Sequence, residues 1–140
     1  MISTKGRYAL RIMIDLAQHE SEGNIPLKDI AQRQEISKKY MEIIVKDLVK
    51  NGLLHAVPGK GGGYSLCRKA EEYTVGEILE LMEGTLAPIA CLAENAEPCP
   101  RADTCLTLPM WEEYYRMTHK FFYEKKLSDL LDSRDPVYYI

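Results

Sequence analysis

At 140 residues, with 46% hydrophobic and 28% charged side chains, the chain has an ordinary globular composition and room for one compact unit with an appendage. That excludes a second independent catalytic domain and wholesale disorder, and no run approaches the ~20 apolar residues needed to cross a bilayer. The net charge of −3 is polarised, because residues 1–69 hold 12 Lys/Arg against 7 Asp/Glu while residues 70–140 hold 6 against 14. A basic half suits a polyanion, and an acidic half suits a face turned away from it. Met1–Ser3 runs straight into a helical pattern with no basic leader or apolar signal core, which predicts a cytoplasmic protein.

Behind Thr4, the residues Ala9, Ile12, Met13, Leu16 and Ala17 recur at helical spacing, with Asp15 and Gln18 off that stripe. Turn formers at 21–24 end this first helix. Leu27, Ile30 and Ala31 then predict a short second helix closed at 34–36. Ser37 stands where an N-cap oxygen is wanted, and Tyr40, Met41, Ile44, Val45, Leu48 and Val49 form the inward stripe of a third helix that Gly52 closes. Two short helices joined by a tight turn carry the helix-turn-helix pattern. Strand-like segments at 53–57 and 64–66, separated by the glycine-rich stretch 58–63, predict a hairpin that carries Lys60 toward a phosphate. The same glycines could cradle a nucleotide, but the lysine–hydroxyl ending of a P-loop is missing and no helix follows at once.

Thr74 and Glu77 match a capping box and start a fourth helix that Gly84 stops. Residues 85–107 read as an irregular loop with Pro88, Pro98 and Pro100 among three of the four cysteines, Cys91, Cys99 and Cys105. Such crowding in a chain without a secretion signal points to metal binding or redox chemistry before cross-linking. An iron–sulfur cluster, a zinc site and reactive thiols all fit three thiols on a loop. Cys67 stands apart and reads as a small buried hydrophobe. Pro109 opens a long helix presenting Trp111, Tyr114, Tyr115, Thr118, Phe121 and Phe122, more aromatic surface than a small core receives, which favours a second subunit as its cover. The expected organisation is a winged helix-turn-helix DNA-binding domain over 1–69, a connecting helix over 70–86, a cysteine loop over 87–107, and a dimerisation helix with tail over 108–140. The fold class is mostly α with a small β-hairpin wing.

The segments Thr4–Ala9, Ile36–Glu42, Lys50–Leu53 and Gly61–Tyr64 resemble the Rrf-two family of winged-helix transcription regulators, and the resemblance extends through 75–84 to the loop and long helix. It implies a homodimer paired through the long helix, with a recognition helix in the major groove of double-stranded DNA and a wing in the minor groove. The DNA-binding positions it implies are Lys39, Tyr40 and Glu42 on the third helix and Lys60, Gly61 and Gly62 in the wing; Lys46 shares the exposed helix face of Lys39 and Glu42, and Lys5, Arg7 and Lys38 of the same basic half are further candidates. Glu42 is suited to accept from a cytosine amino group and the lysines to meet phosphate or guanine, whereas Tyr40 also lies on the apolar stripe.

Cluster-binding members of the family imply that Cys91, Cys99 and Cys105 hold a 2Fe–2S or 4Fe–4S cluster. The chain departs from them in carrying Leu108 where one member has a histidine ligand, and Tyr8 near where another has an aspartate. Asp15, His19, Glu112 or a group from outside the chain are the remaining candidates for a fourth ligand. The ending 135–140 resembles that of the family's cysteine-metabolism repressors, which implies cysteine synthase as a partner through the terminal isoleucine. His19, His55 and His119 share no motif with a nucleophile, so an enzyme is not expected.

Overall fold

The computed structural model describes residues 1–131; the tail resemblance at 135–140 lies outside the described residues. Helix α1 (Thr4–Gln18) starts where the Ser3 side chain accepts from the Gly6 N–H, and it buries Ala9, Ile12, Met13 and Leu16. A 3₁₀ turn at Glu20–Glu22 leads to α2 (Leu27–Gln34), which ends on Glu35 in the left-handed conformation at φ 54°. Ser37 caps α3 (Lys38–Lys50) by accepting from the Tyr40 N–H at 3.2 Å. The buried stripe Met41, Ile44, Val45 and Leu48 joins Ile12, Met13, Leu16 and Ile30 in one core.

Strands β1 (Leu54–Val57) and β2 (Gly63–Leu66) form an antiparallel hairpin with Leu54 opposite Leu66 and Val57 opposite Gly63. The turn end of β2 is also tied to the segment before α2. Ile25 and Tyr64 exchange two backbone hydrogen bonds at 2.9 Å each. Gly63 is required there, because a Cβ on it would overlap the Ile25 carbonyl, and its φ of +146° disfavours side chains.

Helix α4 (Val75–Glu83) carries the expected capping box, Thr74 accepting from the Glu77 N–H while Glu77 accepts from the Thr74 N–H. It packs against both α1 and α5 (Leu108–Glu124). Gly76 permits the latter approach, since a Cβ there would overlap the Tyr123 ring. After α5 the chain returns: the Val75 N–H donates to the Lys125 carbonyl at 2.8 Å and the Leu127 N–H to the Tyr73 carbonyl at 3.0 Å. The short α6 (Leu127–Leu131) then packs on α1 and buries Leu127 completely. The long helix thus stops at Glu124, and the segment that follows it belongs to the core of the N-terminal half.

Two polar side chains sit inside, and the first corrects the sequence reading. Asp15, expected off the apolar stripe, is 1% exposed because Arg33 and Gln34 of α2 reach over to neutralise it. Tyr73 is fully buried, and its hydroxyl donates to the Leu53 carbonyl at 2.7 Å while accepting from the N–H groups of Cys67 and Arg68. It thereby joins the exit of α3 to the exit of the hairpin, and burial raises its pKa.

Candidate nucleic-acid interface and cysteine loop

On α3, Lys38, Lys39, Glu42 and Lys46 are all exposed, Lys39 and Lys46 on the face opposite the buried stripe and Lys38 and Glu42 toward the wing. Tyr40 is 36% exposed and meets the Tyr8 ring edge-on at 5.6 Å, so it lies at the margin of the core rather than within it. Lys5 is already engaged, with Nζ 2.8 Å from Asp47 Oδ2, and this ammonium holds the Asp47 carboxyl below the usual range. It therefore ties α1 to α3 as well as adding charge near the helix. Arg7 is exposed and donates to the Thr4 hydroxyl at 3.2 Å.

The hairpin tip turns at Gly59, where the Gly62 N–H donates to the Gly59 carbonyl at 3.0 Å, and it leaves Lys60 and Gly61 exposed with Gly62 half-buried. Between α3 and the hairpin runs a groove of about 580 Å³ lined by Leu27, Lys38, Glu42, Lys46, Val49, Ala56 and Tyr64. Three of the residues picked from the sequence, Lys38, Glu42 and Lys46, therefore share one groove with the wing.

Behind this half, α5 has no buried residue. The expected single aromatic face is split in two. Tyr115, His119 and Tyr123 turn toward α4, where the Tyr123 hydroxyl donates to Glu80 Oε1 at 2.9 Å and its ring stacks on His119 at 4.4 Å between centroids. Burial and the Glu80 carboxylate raise the Tyr123 pKa. Met110, Tyr114, Met117 and Phe121, at steps of four, three and four, are each more than half exposed along the other side.

Cys91 sits in a 3₁₀ turn at Ala90–Leu92, Cys99 in the following irregular stretch, and Cys105 three residues before α5; all are half-buried free thiols. The Cys105 sulfur lies 3.4 Å from the Thr107 hydroxyl, and that hydroxyl, with the N–H groups of Thr107 and Leu108, holds the thiol below the ordinary cysteine range. The donor set suits an iron–sulfur cluster in kind. The three thiols are not gathered, however: among the described residues no group of three or more His, Cys, Asp or Glu is placed to hold a metal ion. Of the fourth-ligand candidates, Asp15 is enclosed by Arg33 and Gln34, the His19 ring nitrogen is 2.8 Å from the Asp15 carbonyl, and Glu112 is exposed. Cys67, expected as a small buried hydrophobe, is half-buried, and its backbone N–H donates to the Tyr73 hydroxyl at 2.8 Å.

A capped helix at the end of a tight helix pair, followed by a glycine-tipped hairpin flanking the same groove, defines a winged helix-turn-helix, the fold of DNA-binding transcription regulators. The chain belongs to the Rrf2 family, described as iron-dependent transcriptional regulators, whose profile matches residues 2–133. It is 39% identical over 130 residues to protein rrf2 of Nitratidesulfovibrio vulgaris, a match covering 93% of this chain and 86% of the relative. It is 37% identical over 134 residues to the HTH-type transcriptional regulator IscR of Serratia proteamaculans, covering 96% and 80%.

Among solved structures, CymR, the global cysteine regulator of B. subtilis, superposes with a TM-score of 0.78 at 35% identity, covering 96% of this chain and 98% of that one. IscR of T. potens superposes with a TM-score of 0.75 at 31% identity, covering 99% and 96%. The chain is accordingly a transcription regulator and not an enzyme. Among the described residues no helix is long and apolar enough to cross a membrane.

Proposed function

We propose that this protein acts as a homodimer on a quasi-palindromic double-stranded DNA site and represses transcription in response to the state of Cys91, Cys99 and Cys105. The observation that carries this reading is the position of the thiol-bearing loop. It joins α4, which packs on α1 of the DNA-binding half, to α5, whose Met110, Tyr114, Met117 and Phe121 await a second subunit. Ordering that loop would change how α5 is held and so how two recognition helices are spaced. Lys38, Lys39, Lys46 and Lys60 supply the phosphate attraction, with Lys5 and Arg7 adding charge at the start of α1, and Glu42 supplies selectivity.

In the reading we favour, the three cysteines hold an iron–sulfur cluster, which when bound supplies a redox- and iron-sensitive cross-link between segments of the loop. The Cys105 thiol is held below the ordinary cysteine range, which favours the thiolate that ligates. Anaerobic reconstitution of the wild type beside Cys91→Ala, Cys99→Ala, Cys105→Ala and Cys67→Ala tests it. Charge-transfer absorption is expected in the wild type and Cys67→Ala alone; a wild type that takes up only zinc, or no metal, ends the cluster reading and leaves DNA binding standing.

A second reading is favoured by the superposition on CymR: a regulator of cysteine or sulfur metabolism whose loop cysteines are redox-active or zinc-binding. Its partner would be cysteine synthase, docked through the terminal residues 138–140. Pull-down of cysteine synthase by the intact chain, lost on deleting those three residues, is the expected outcome, and no capture by the intact chain overturns it.

A further inference from the structure

We propose that Ile43 is a specificity-determining residue of the recognition helix, reading the C5-methyl group of a thymine; this rests on the DNA-binding reading above and names the base feature that the site selects. Ile43 is 56% exposed, while its neighbours in sequence, Met41, Ile44 and Val45, are buried at 0–1%. At 100° per residue, the centre of the α3 face opposite that buried stripe is occupied by Lys39, Ile43, Lys46 and Lys50, spaced four, three and four residues apart, with Glu42 and Asp47 at its edges. A single exposed apolar residue on a protein surface is ordinary. This one stands in the middle of three lysines, on the face that the flanking charges present to a polyanion.

The chemistry of the face then constrains what covers Ile43. The long lysine side chains reach outward and aside to phosphates, whereas the short, β-branched Ile43 can touch only what lies directly beneath the helix axis, the floor of the major groove. It donates and accepts no hydrogen bond, so it is indifferent to the donor and acceptor pattern of the base edges and penalises any edge group that it strips of water. The only apolar group that a base pair projects into the major groove is the thymine methyl. Glu42, one residue away toward the wing side of the groove, reads by hydrogen bonding; Ile43 reads by apolar contact. The pair thus divides the two modes of direct readout between adjacent residues.

The test begins with selection of sites by the full-length wild type from a randomised duplex pool. A thymine position is expected in each half-site that Ile43→Ala no longer enriches, while the rest of the motif stays unchanged. Replacing that thymine by uracil removes one methyl per half-site. Burying a methyl-sized group is worth about fourfold in affinity, so the two half-sites together should cost the wild type on the order of tenfold. Ile43→Val should keep most of this penalty and Ile43→Ala little of it, with circular dichroism confirming that each variant is folded. If the wild type and Ile43→Ala recover the same motif, or if uracil costs both equally, Ile43 reads no methyl although the protein binds DNA. If the wild type enriches no sequence, the DNA-binding reading fails and this inference with it.

Discussion

Arg33 grips Asp15 with both arms of its guanidinium, Nε to Oδ2 at 3.0 Å and a terminal nitrogen to Oδ1 at 2.7 Å, across the crossing of α2 over α1. The carboxylate is almost fully buried and the arginine only partly so. The Gln34 amide adds a third donor at 2.9 Å, and Arg11 in turn donates to the Gln34 side chain and backbone carbonyl. The end of α2 is therefore clamped to α1 at the turn that sets the angle of α3.

Arg33→Ala should leave that carboxylate buried with Gln34 as its main partner. A loss of roughly 2–4 kcal/mol is expected, somewhat less than for a fully buried pair because Arg33 is a third exposed. Urea unfolding of Arg33→Ala and of the double variant Arg33→Ala/Asp15→Asn measures it. The double variant should recover part of the loss, and no recovery would show that the arginine acts through packing alone.

Gly76→Ala should cost about 1–3 kcal/mol by driving a methyl into the Tyr123 ring. The Tyr123–Glu80 hydrogen bond at 2.9 Å resists displacement of that ring. Thermal unfolding reads the stability, and tyrosine fluorescence reads the displaced ring; an unchanged melting temperature refutes the close approach of α4 and α5.

Acid should weaken the protein through Glu77. Partial burial pushes its carboxyl up, but two hydrogen bonds from Arg68, at 2.9 and 3.1 Å, and one from the Thr74 N–H outweigh this and leave the pKa below the ordinary 4.5. A depressed carboxyl stabilises above its unfolded pKa, and that contribution is lost as pH falls from the ordinary 4.5 through the lower folded value. Urea midpoints across that window should fall more steeply for the wild type than for Glu77→Gln. Equal slopes would assign the acid sensitivity elsewhere, with the Lys5–Asp47 pair, whose carboxyl is also depressed, as the next candidate.

Met117→Glu and Tyr114→Glu each place a charge in the exposed stripe of α5. Sedimentation should find a dimer for the wild type at micromolar concentration and monomers for both variants, with unchanged helicity. A monomeric wild type would remove α5 as the dimer contact.

Lys60→Ala should weaken binding to all sequences alike and lower the salt slope by about one, whereas Glu42→Ala should relax base preference. Titrations at several salt concentrations against a selected site and a scrambled one separate the two effects. The reverse pattern would exchange the assigned roles.

The sequence was most readable where local chemistry acts over one turn. Ser37 and Thr74 mark helix starts, and the stripes of α1 and α3 give their inward faces, because capping and 3.6-residue periodicity are written in neighbouring residues. What escaped depends on distant partners. Asp15 reads as off the apolar stripe until Arg33 and Gln34 arrive from another helix, and Tyr73 carries no local sign that the Leu53 carbonyl, 20 residues earlier, accepts from its hydroxyl. Ile43 stands off the inward stripe, and its place three and four residues from Lys46 and Lys39 is legible, but an exposed isoleucine carries no local sign of what covers it. The cysteines were visible at once, but spacing on a loop does not say whether their side chains meet.

The Ile25–Tyr64 bridge makes the wing and the recognition helix a caliper of fixed opening. Only Pro26 separates Ile25 from the start of α2, so swinging the hairpin would drag the helix pair with it. On the proposed homodimer, a duplex gripped by two such calipers would have to supply whatever bending or groove-width change brings phosphates to both jaws. Base steps that never touch a side chain would then be sorted by their own stiffness, with pliant pyrimidine–purine steps favoured where the backbone has to yield.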